Sequence, residues 1–517
     1  MAQGAQPVKA APGIAAAACV AAVVLVAMAA VLWRAETLSG LGAADWQAVR
    51  FTLSQALLSA LLSVGFAIPV ARALARRKVP GRAFLVTLLG SPFILPVIVA
   101  VMGLLSIFGR NGWLNGLLEA IGFPAVSIYG AHGVVLAHVF FNMPLATRLI
   151  LQGWQDIPAE QYRLIGQLGL GPWTVFRSLE WPLLRQVVPG AFALIFVICL
   201  TSFAVALTLG GGPRATTIEL AIYQAFRFDF DLGRAALLSV LQIVVAGGAA
   251  LLAFWILPPL AVQRGMDRTA QRWDGRNTSI RAIDTLWIVF GAAFLLLPLL
   301  SVLFSGVGAL MLLPESTWRA ALVSLGVAGL STALLVALAL PLAGWLAMGR
   351  SGALEGVSLL GLVASPLMIG TGWFILINPV MDPRLLALPV TALVNALMAL
   401  PFAVRILVPP LRQSLTDYGK LSASLGLRGM QVWRIVLIPR VRPALGFAAG
   451  LGAALSVGDL GVVTLFADPD LATLPLQMYR MMGRYQTEAA AGAAVLLLGM
   501  ALLLFWLCDQ WGRYAER

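Results

Sequence analysis

Charge is what this 517-residue chain has least of. Only 11% of its residues are Asp, Glu, Lys or Arg, while 60% are hydrophobic and the mean hydropathy is +0.92. A soluble domain carries about 25% charged residues, so most of the surface here must face lipid, and no stretch has the mixed charge of a soluble domain. Cysteine and histidine are scarce as well, at three and two residues. Cys19, Cys199 and Cys508 lie in or at the end of apolar runs, without a CxxC pair or Cys/His cluster, which argues against disulfides and structural zinc. His132 and His138 are six apart, a spacing that does not stack them on one helix face, so packing is favoured over metal binding and no metal or cofactor is expected. The net charge of +13 could point to nucleic acid. Lys and Arg are instead scattered between long apolar runs rather than gathered on one basic face, so no nucleic-acid partner is expected. That scatter is what orients helices in a lipid bilayer.

A helix needs about 20 mostly apolar residues to cross about 30 Å of hydrocarbon. Twelve stretches qualify, near 13–33, 52–75, 84–108, 131–152, 186–209, 233–258, 282–305, 320–347, 355–380, 385–408, 443–466 and 490–508. The first is read as a retained anchor, because only Lys9 precedes it and its length exceeds the roughly 7–15-residue apolar core of a signal peptide. With the N-terminus inside, the cytoplasmic loops receive 25 of the 35 Lys and Arg residues. Among them are Arg72, Arg76, Arg77, Lys78 and Arg82 in one loop and Arg264, Arg268, Arg272, Arg276 and Arg281 in another. By the positive-inside rule both termini are cytoplasmic.

The chain repeats itself. Residues 144–182 align without a gap with 401–439 at an offset of 257. Pro144 meets Pro401, Arg148 meets Arg405, Leu168-Gly169-Leu170 meets Leu425-Gly426-Leu427, Arg177 meets Arg434 and Pro182 meets Pro439. Upstream the match is looser, with Pro69 against Pro341 and Ser91-Pro92 against Ser365-Pro366. Two apolar helices share leucines by chance, but matched Pro, Gly and Arg in a polar connection mark duplication. Copies separated by an even number of spans point the same way, which gives an all-α membrane protein of two parallel six-helix repeats.

Each half has one long cytoplasmic loop, near 153–185 and 410–442. Tyr418, Leu421, Leu425 and Trp433 fall near helical spacing, with Arg412, Lys420 and Arg428 between them. Gly169 and Gly426 stop a short helix, and Pro182 and Pro439 restart the chain toward the next span. One such loop alone could rest on lipid headgroups. Two at equivalent places suit a two-fold symmetric partner.

The segments Leu168-Gly169-Leu170-Gly171-Pro172-Trp173 … Glu180-Trp181-Pro182 and Leu425-Gly426-Leu427 … Leu437-Ile438-Pro439 resemble the coupling loop of type I ABC importer permeases. That loop begins Glu-Ala-Ala and docks into the ATPase subunit. Here Arg163-Leu164-Ile165 and Lys420-Leu421-Ser422 stand at the Glu-Ala-Ala positions, so a base replaces the acid twice. The stretch from Gly210 to Gln224, with Gly458-Asp459-Leu460-Gly461 and Thr473-Leu474-Pro475, is similar to permeases for thiamine and thiamine pyrophosphate.

The resemblance implies a fused double permease of the bacterial inner membrane. Its residues 50–258 and 320–508 would be the two transmembrane domains, opened by the helix-and-loop segments 1–49 and 282–319, with a cytoplasmic linker at 259–281 and a tail at 509–517. It also implies two partners, a cytoplasmic ATPase homodimer and a periplasmic substrate-binding protein. The chain has no G-x-x-x-x-G-K-[ST] phosphate loop of its own, so it is not expected to be an enzyme. The expected docking residues are Arg163, Leu164, Leu168, Gly169, Leu170 and Pro182, with Lys420, Leu421, Leu425, Gly426, Leu427 and Pro439.

Asp459 is the acid set deepest in an apolar stretch, where a charge needs a cavity or a partner. It either caps a helix break or pairs with an Arg, or it serves as a transient counter-ion for a cationic substrate; its equivalent in the first half is near Ser202. Glu219 and Tyr223, with Asp229 and Asp231, are read as an outer loop that is either simply solvated or helps pass a cation. Asn142 and Gln242 are read as glue between helices. A ferric-iron permease of the same design and an ion-gradient-driven secondary transporter remain alternatives.

Overall fold

The computed structural model describes residues 11–35, 41–90, 94–256, 277–349, 357, 360–361, 364–466 and 472–513. Most of the linker, Ser91-Pro92, most of 350–363, Lys9 and the last residues of the tail lie outside them. With no water in hydrocarbon, each backbone amide must bond within its own segment, and the described chain is correspondingly helical. In order, the helices of six or more residues are α1 (Ala11–Arg34), α2 (Ala43–Arg76), α3 (Arg82–Leu88), α4 (Val97–Phe108), α5 (Trp113–Ala120), α6 (Ala131–Asp156) and α7 (Ala159–Gln167). They continue as α8 (Trp181–Leu200), α9 (Ala204–Leu209), α10 (Ile218–Arg227), α11 (Leu232–Ile256), α12 (Thr278–Gly306), α13 (Glu315–Ala347) and α14 (Pro366–Ile377). The last are α15 (Ala387–Ser424), α16 (Ile438–Val457), α17 (Gly461–Phe466), α18 (Leu474–Gly483) and α19 (Thr487–Arg513).

Among the described residues, eleven helical segments are long and apolar enough to cross a membrane. Of the twelve expected, the ninth is represented by α14, an apolar helix of 12 residues. The third is not one rod: it is split into α3 and α4 around Gly90 and Pro96, the latter extended at φ −58° and ψ 132°. Proline cannot donate to the preceding turn and its neighbour avoids helical angles, so the chain breaks there.

Packing follows one scheme twice. Helix α2 lies along α6 and α8, and α13 lies along α15 and α16. Helix α11 closes on α8 and α10, and α19 closes on α16 and α18. The first helix of each half also reaches across: α1 packs on α13 and α14, whereas α12 packs on α2 and α4. Glycine permits both crossings. A Cβ on Gly372 of α14 would lie 2.4 Å from the Ala27 carbonyl oxygen of α1, and one on Gly103 of α4 would lie 2.5 Å from the Pro298 oxygen of α12. Small residues let backbones approach this closely, which drives helix association in lipid. The Ser106 and Ser301 hydroxyls hydrogen-bond beside the second crossing. Near the start of α12, Asp284 pairs with Arg76 (3.4 Å) at the end of α2 and with Arg77 (2.7 Å) just beyond it.

Gly103→Val and Gly372→Val are expected to force these helices apart at about 1–3 kcal/mol, the usual cost of overpacking. Thermal unfolding in detergent should register a lower Tm for each. Gly65→Ala, where a Cβ meets nothing within 4 Å, should leave it unchanged.

Candidate functional site

Two places gather the polar and exposed groups that a sealed bundle would not need. One is a cavity of about 330 Å³ between the halves. Its wall takes His138, Phe141 and Asn142 from α6 and Ser202 and Phe203 from the α8–α9 connection. Asn395 and Phe402 of α15 and Asp459 between α16 and α17 complete it on the other side. The backbone N–H of Gly461 donates to Asp459 Oδ1 at 3.1 Å. With its amide oriented so that nitrogen faces acceptors, Asn395 donates to Asp459 Oδ2 at 3.2 Å and accepts from Ser456 Oγ at 3.1 Å. In the other half His138 Nε2 lies 2.8 Å from Ser202 Oγ. Both pairs sit at the offset of 257: His138 corresponds to Asn395, and Ser202 to Asp459.

Asp459 therefore lines the cavity, while Glu219 and Tyr223 do not. The outer-loop reading of these two is corrected by the structure. Both lie on α10, whose face Ile218, Glu219, Leu220, Ala221 and Ile222 is buried. The apolar residues at every turn fold this segment inward. Gln242 Nε2 donates to Glu219 Oε1 at 2.9 Å, and Ser365 Oγ, at the start of α14, donates to Oε2 at 2.7 Å. Burial raises the Glu219 carboxyl and these two hydrogen bonds offset part of that rise, leaving it at about 8. Tyr223 stands edge-on to Phe203, centroids 5.4 Å apart, so it backs the cavity wall through that ring. Asp229 pairs with Arg234 at 2.9 Å. Asn142 donates to the His138 carbonyl oxygen and faces Cys199 Sγ, as well as lining the cavity. The offset of 257 that pairs Asp459 with Ser202 also pairs His138 with Asn395, a signal in the sequence for the two site residues that periodicity alone does not mark.

The second place is the pair of loops around Gly169 and Gly426. Helix α7 and the end of α15 both close in a Schellman motif. Gly169 N–H donates to the Gly166 oxygen and Leu170 N–H to the Ile165 oxygen; Gly426 and Leu427 repeat this onto Ala423 and Ser422. The glycines take φ of 64° and 69°, where a side chain is strained. Beyond them, π-helical turns at 176–180 and 433–437 lead into α8 and α16, placing Pro182 and Pro439 in the first turn. The loops differ in one respect. A separate surface helix was expected in both halves, but in the second α15 runs unbroken from the membrane through Ser424. Pro158 interrupts the first half, whereas Leu415 stands at the equivalent position. Leu164, Leu168 and Trp173 are exposed, and so are Leu421, Leu425 and Met430 at the matching positions. Arg163 and Lys420 are exposed beside them.

Eleven candidate spans, a largely apolar cavity that carries a few polar side chains and a pair of exposed apolar loops define a membrane permease. No protein-family model matches the chain. It is 41% identical over 478 residues to the thiamine transport system permease protein ThiP of Brucella abortus (strain 2308), covering 90% of this chain and 87% of that one. Against the protein of the same name in Escherichia coli (strain K12) identity is 40% over 515 residues, 96% of each chain. Against that of Haemophilus influenzae it is 36% over 471 residues, 88% of this chain and 87% of the relative. The chain belongs to the family of thiamine transport system permease proteins and is a multi-pass protein of the bacterial inner membrane.

The Glu219 carboxyl, raised from 4.5 to about 8, contributes stability that is fully present below about 4.5 and lost as pH rises through about 8. Glu219→Gln keeps a partner for both Gln242 and Ser365, so its Tm should fall less than the wild type's between pH 5 and pH 8. Glu219→Leu removes both partners and should cost about 1–3 kcal/mol even at the lower pH.

Proposed function

We propose that this chain is the membrane subunit of an ATP-binding-cassette importer and carries thiamine across the bacterial inner membrane. Its relatives are thiamine transport permeases by name, at 36–41% identity over most of their length. The architecture we infer is two parallel six-helix repeats with cytoplasmic termini. Support comes from helix boundaries: Trp181–Leu200 and Ile438–Val457, Ala204–Leu209 and Gly461–Phe466, and both π-helical turns recur at the offset of 257. The excess of Lys and Arg in the loops carrying Gly169 and Gly426 favours a cytoplasmic position for both.

The observation that carries the mechanism is the matched exposure of Leu168 (63%) and Leu425 (65%) on rigidly capped turns. Bare leucines at equivalent points of a doubled chain fit equivalent clefts of an ATPase homodimer, which supplies the hydrolysis that this chain has no phosphate loop to perform. Leu164, Leu170, Leu421 and Leu427 extend the same surfaces, and Arg163 and Lys420 make their rims basic. Each loop continues through its π-helical turn into α8 or α16, and those helices end at the cavity. Drawing the loops together on ATP binding therefore rocks α8 and α16 and opens the chamber to the outer face, where a periplasmic binding protein delivers its load. Release of the nucleotide reverses the motion.

Buried apolar anchors dominate interfaces, and loss of one costs about 2 kcal/mol or more. The double variant Leu168→Asp, Leu425→Asp should therefore lose co-purification of the ATPase subunit and ATP-driven uptake of labelled thiamine. The milder pair Arg163→Glu, Lys420→Glu should weaken co-purification in a salt-dependent way. Full retention of ATPase and uptake in both double variants would show that the loops are not the docking elements. If the wild-type chain restores only iron uptake to a deletion strain, the thiamine assignment fails.

A further inference from the structure

The cavity is built on equivalent backbone positions but is not chemically symmetric. In the first half the pair His138 and Ser202 presents an imidazole and a hydroxyl, 2.8 Å apart. In the second the same two positions hold Asn395 and Asp459, an amide and a carboxylate. No Lys or Arg lines the cavity, and among the described residues none pairs with Asp459. Its oxygens are held by backbone amides at Leu460, Gly461 and Val462 and by the Asn395 side chain, all of them uncharged donors. A carboxylate kept at membrane depth without a cationic side chain is costly unless a cation visits it. Three rings, Phe141, Phe203 and Phe402, share the wall, and aromatic faces attract cations while they stack on flat rings. The volume of about 330 Å³ suits one small molecule, since ligand pockets run from about 300 Å³ upward.

We propose that this chamber is a cargo site within the permease, in which Asp459 is the counter-ion of an aromatic organic cation and His138 with Ser202 hydrogen-bonds the uncharged end of the same molecule. The inference rests on the thiamine reading and deepens it. Thiamine joins a permanently charged thiazolium to a neutral aminopyrimidine, so its two ends match the two unlike walls. The permease then selects for positive charge after the binding protein has let go, and the duplicated halves have diverged to hold a cargo without two-fold symmetry.

The test uses the complete transporter (permease, ATPase subunit and binding protein) in proteoliposomes. It compares ATP-driven uptake of labelled thiamine with that of deazathiamine, in which a neutral thiophene replaces the thiazolium. Removing one partner of a desolvated charge pair is costly, so Asp459→Asn should slow thiamine uptake by about tenfold or more while deazathiamine uptake changes by less than about twofold. Asparagine keeps an oxygen for the Gly461 amide, and ATPase stimulation by the loaded binding protein should stay within about twofold of wild type. Asp459→Glu should recover part of the thiamine preference. The proposal is overturned if Asp459→Asn leaves the thiamine-to-deazathiamine ratio at its wild-type value, whether both rates persist or both collapse. If the wild-type complex takes up no thiamine, the thiamine reading itself falls, a result distinct from an unchanged ratio.

Discussion

Inside a bilayer a backbone has nothing to bond but itself, and helices have no hydrophobic gain to make by leaving lipid for one another. What holds this chain together is therefore close contact between backbones. The two crossings at Gly372 with Ala27 and at Gly103 with Pro298 are the clearest instances, each with room for a hydrogen and none for a methyl. Through them α1 and α12 leave the segments that follow them in sequence and lie against the opposite half. Each half therefore packs against the first helix of the other.

At the offset of 257 the backbone recurs while the side chains differ. The Schellman turns at Gly169 and Gly426, the π-helical turns and the breaks before α9 and α17 are repeated almost residue for residue. These features lie between the loops and the cavity, and they are the same in both segments. At the cavity the matched positions differ, as a single small cargo without a two-fold axis would require under the proposal. There His138 faces the role of Asn395, and Ser202 that of Asp459. The cytoplasmic clasp is likewise one-sided: Glu180 pairs with Arg72 at 2.8 Å, and Leu437 takes its place in the second half.

Much of this was legible before any coordinates. Long apolar runs announce spans, because only a helix can carry a backbone through hydrocarbon. The glycine in each loop announces a helix stop, because only glycine takes a positive φ without strain. Asp459 announced a cavity or a partner by its depth alone. Pro158 distinguishes the two loops: with Leu415 opposite it in the alignment, only the first half has to break its helix. Glu219 is a different case. An acid among Thr, Tyr and Gln resembles a solvated loop until α10 is seen to turn its apolar face, and the acid with it, toward Gln242 and Ser365.

The amino-acid order by itself determined that the chain lives in a membrane, that residues 144–182 match 401–439 at a fixed offset, and where each matched segment carries a glycine-capped turn. Those are properties of local composition and of periodicity, and they are complete within a segment. Only the tertiary structure decided which helices cross between halves, that Glu219 is sealed against α11 and α14, and that His138, Ser202, Asn395 and Asp459 share one chamber. Those facts depend on close packing between residues far apart in sequence, such as Glu219 and Ser365 at 146 positions, and no short stretch of chain contains the partner against which it will be pressed.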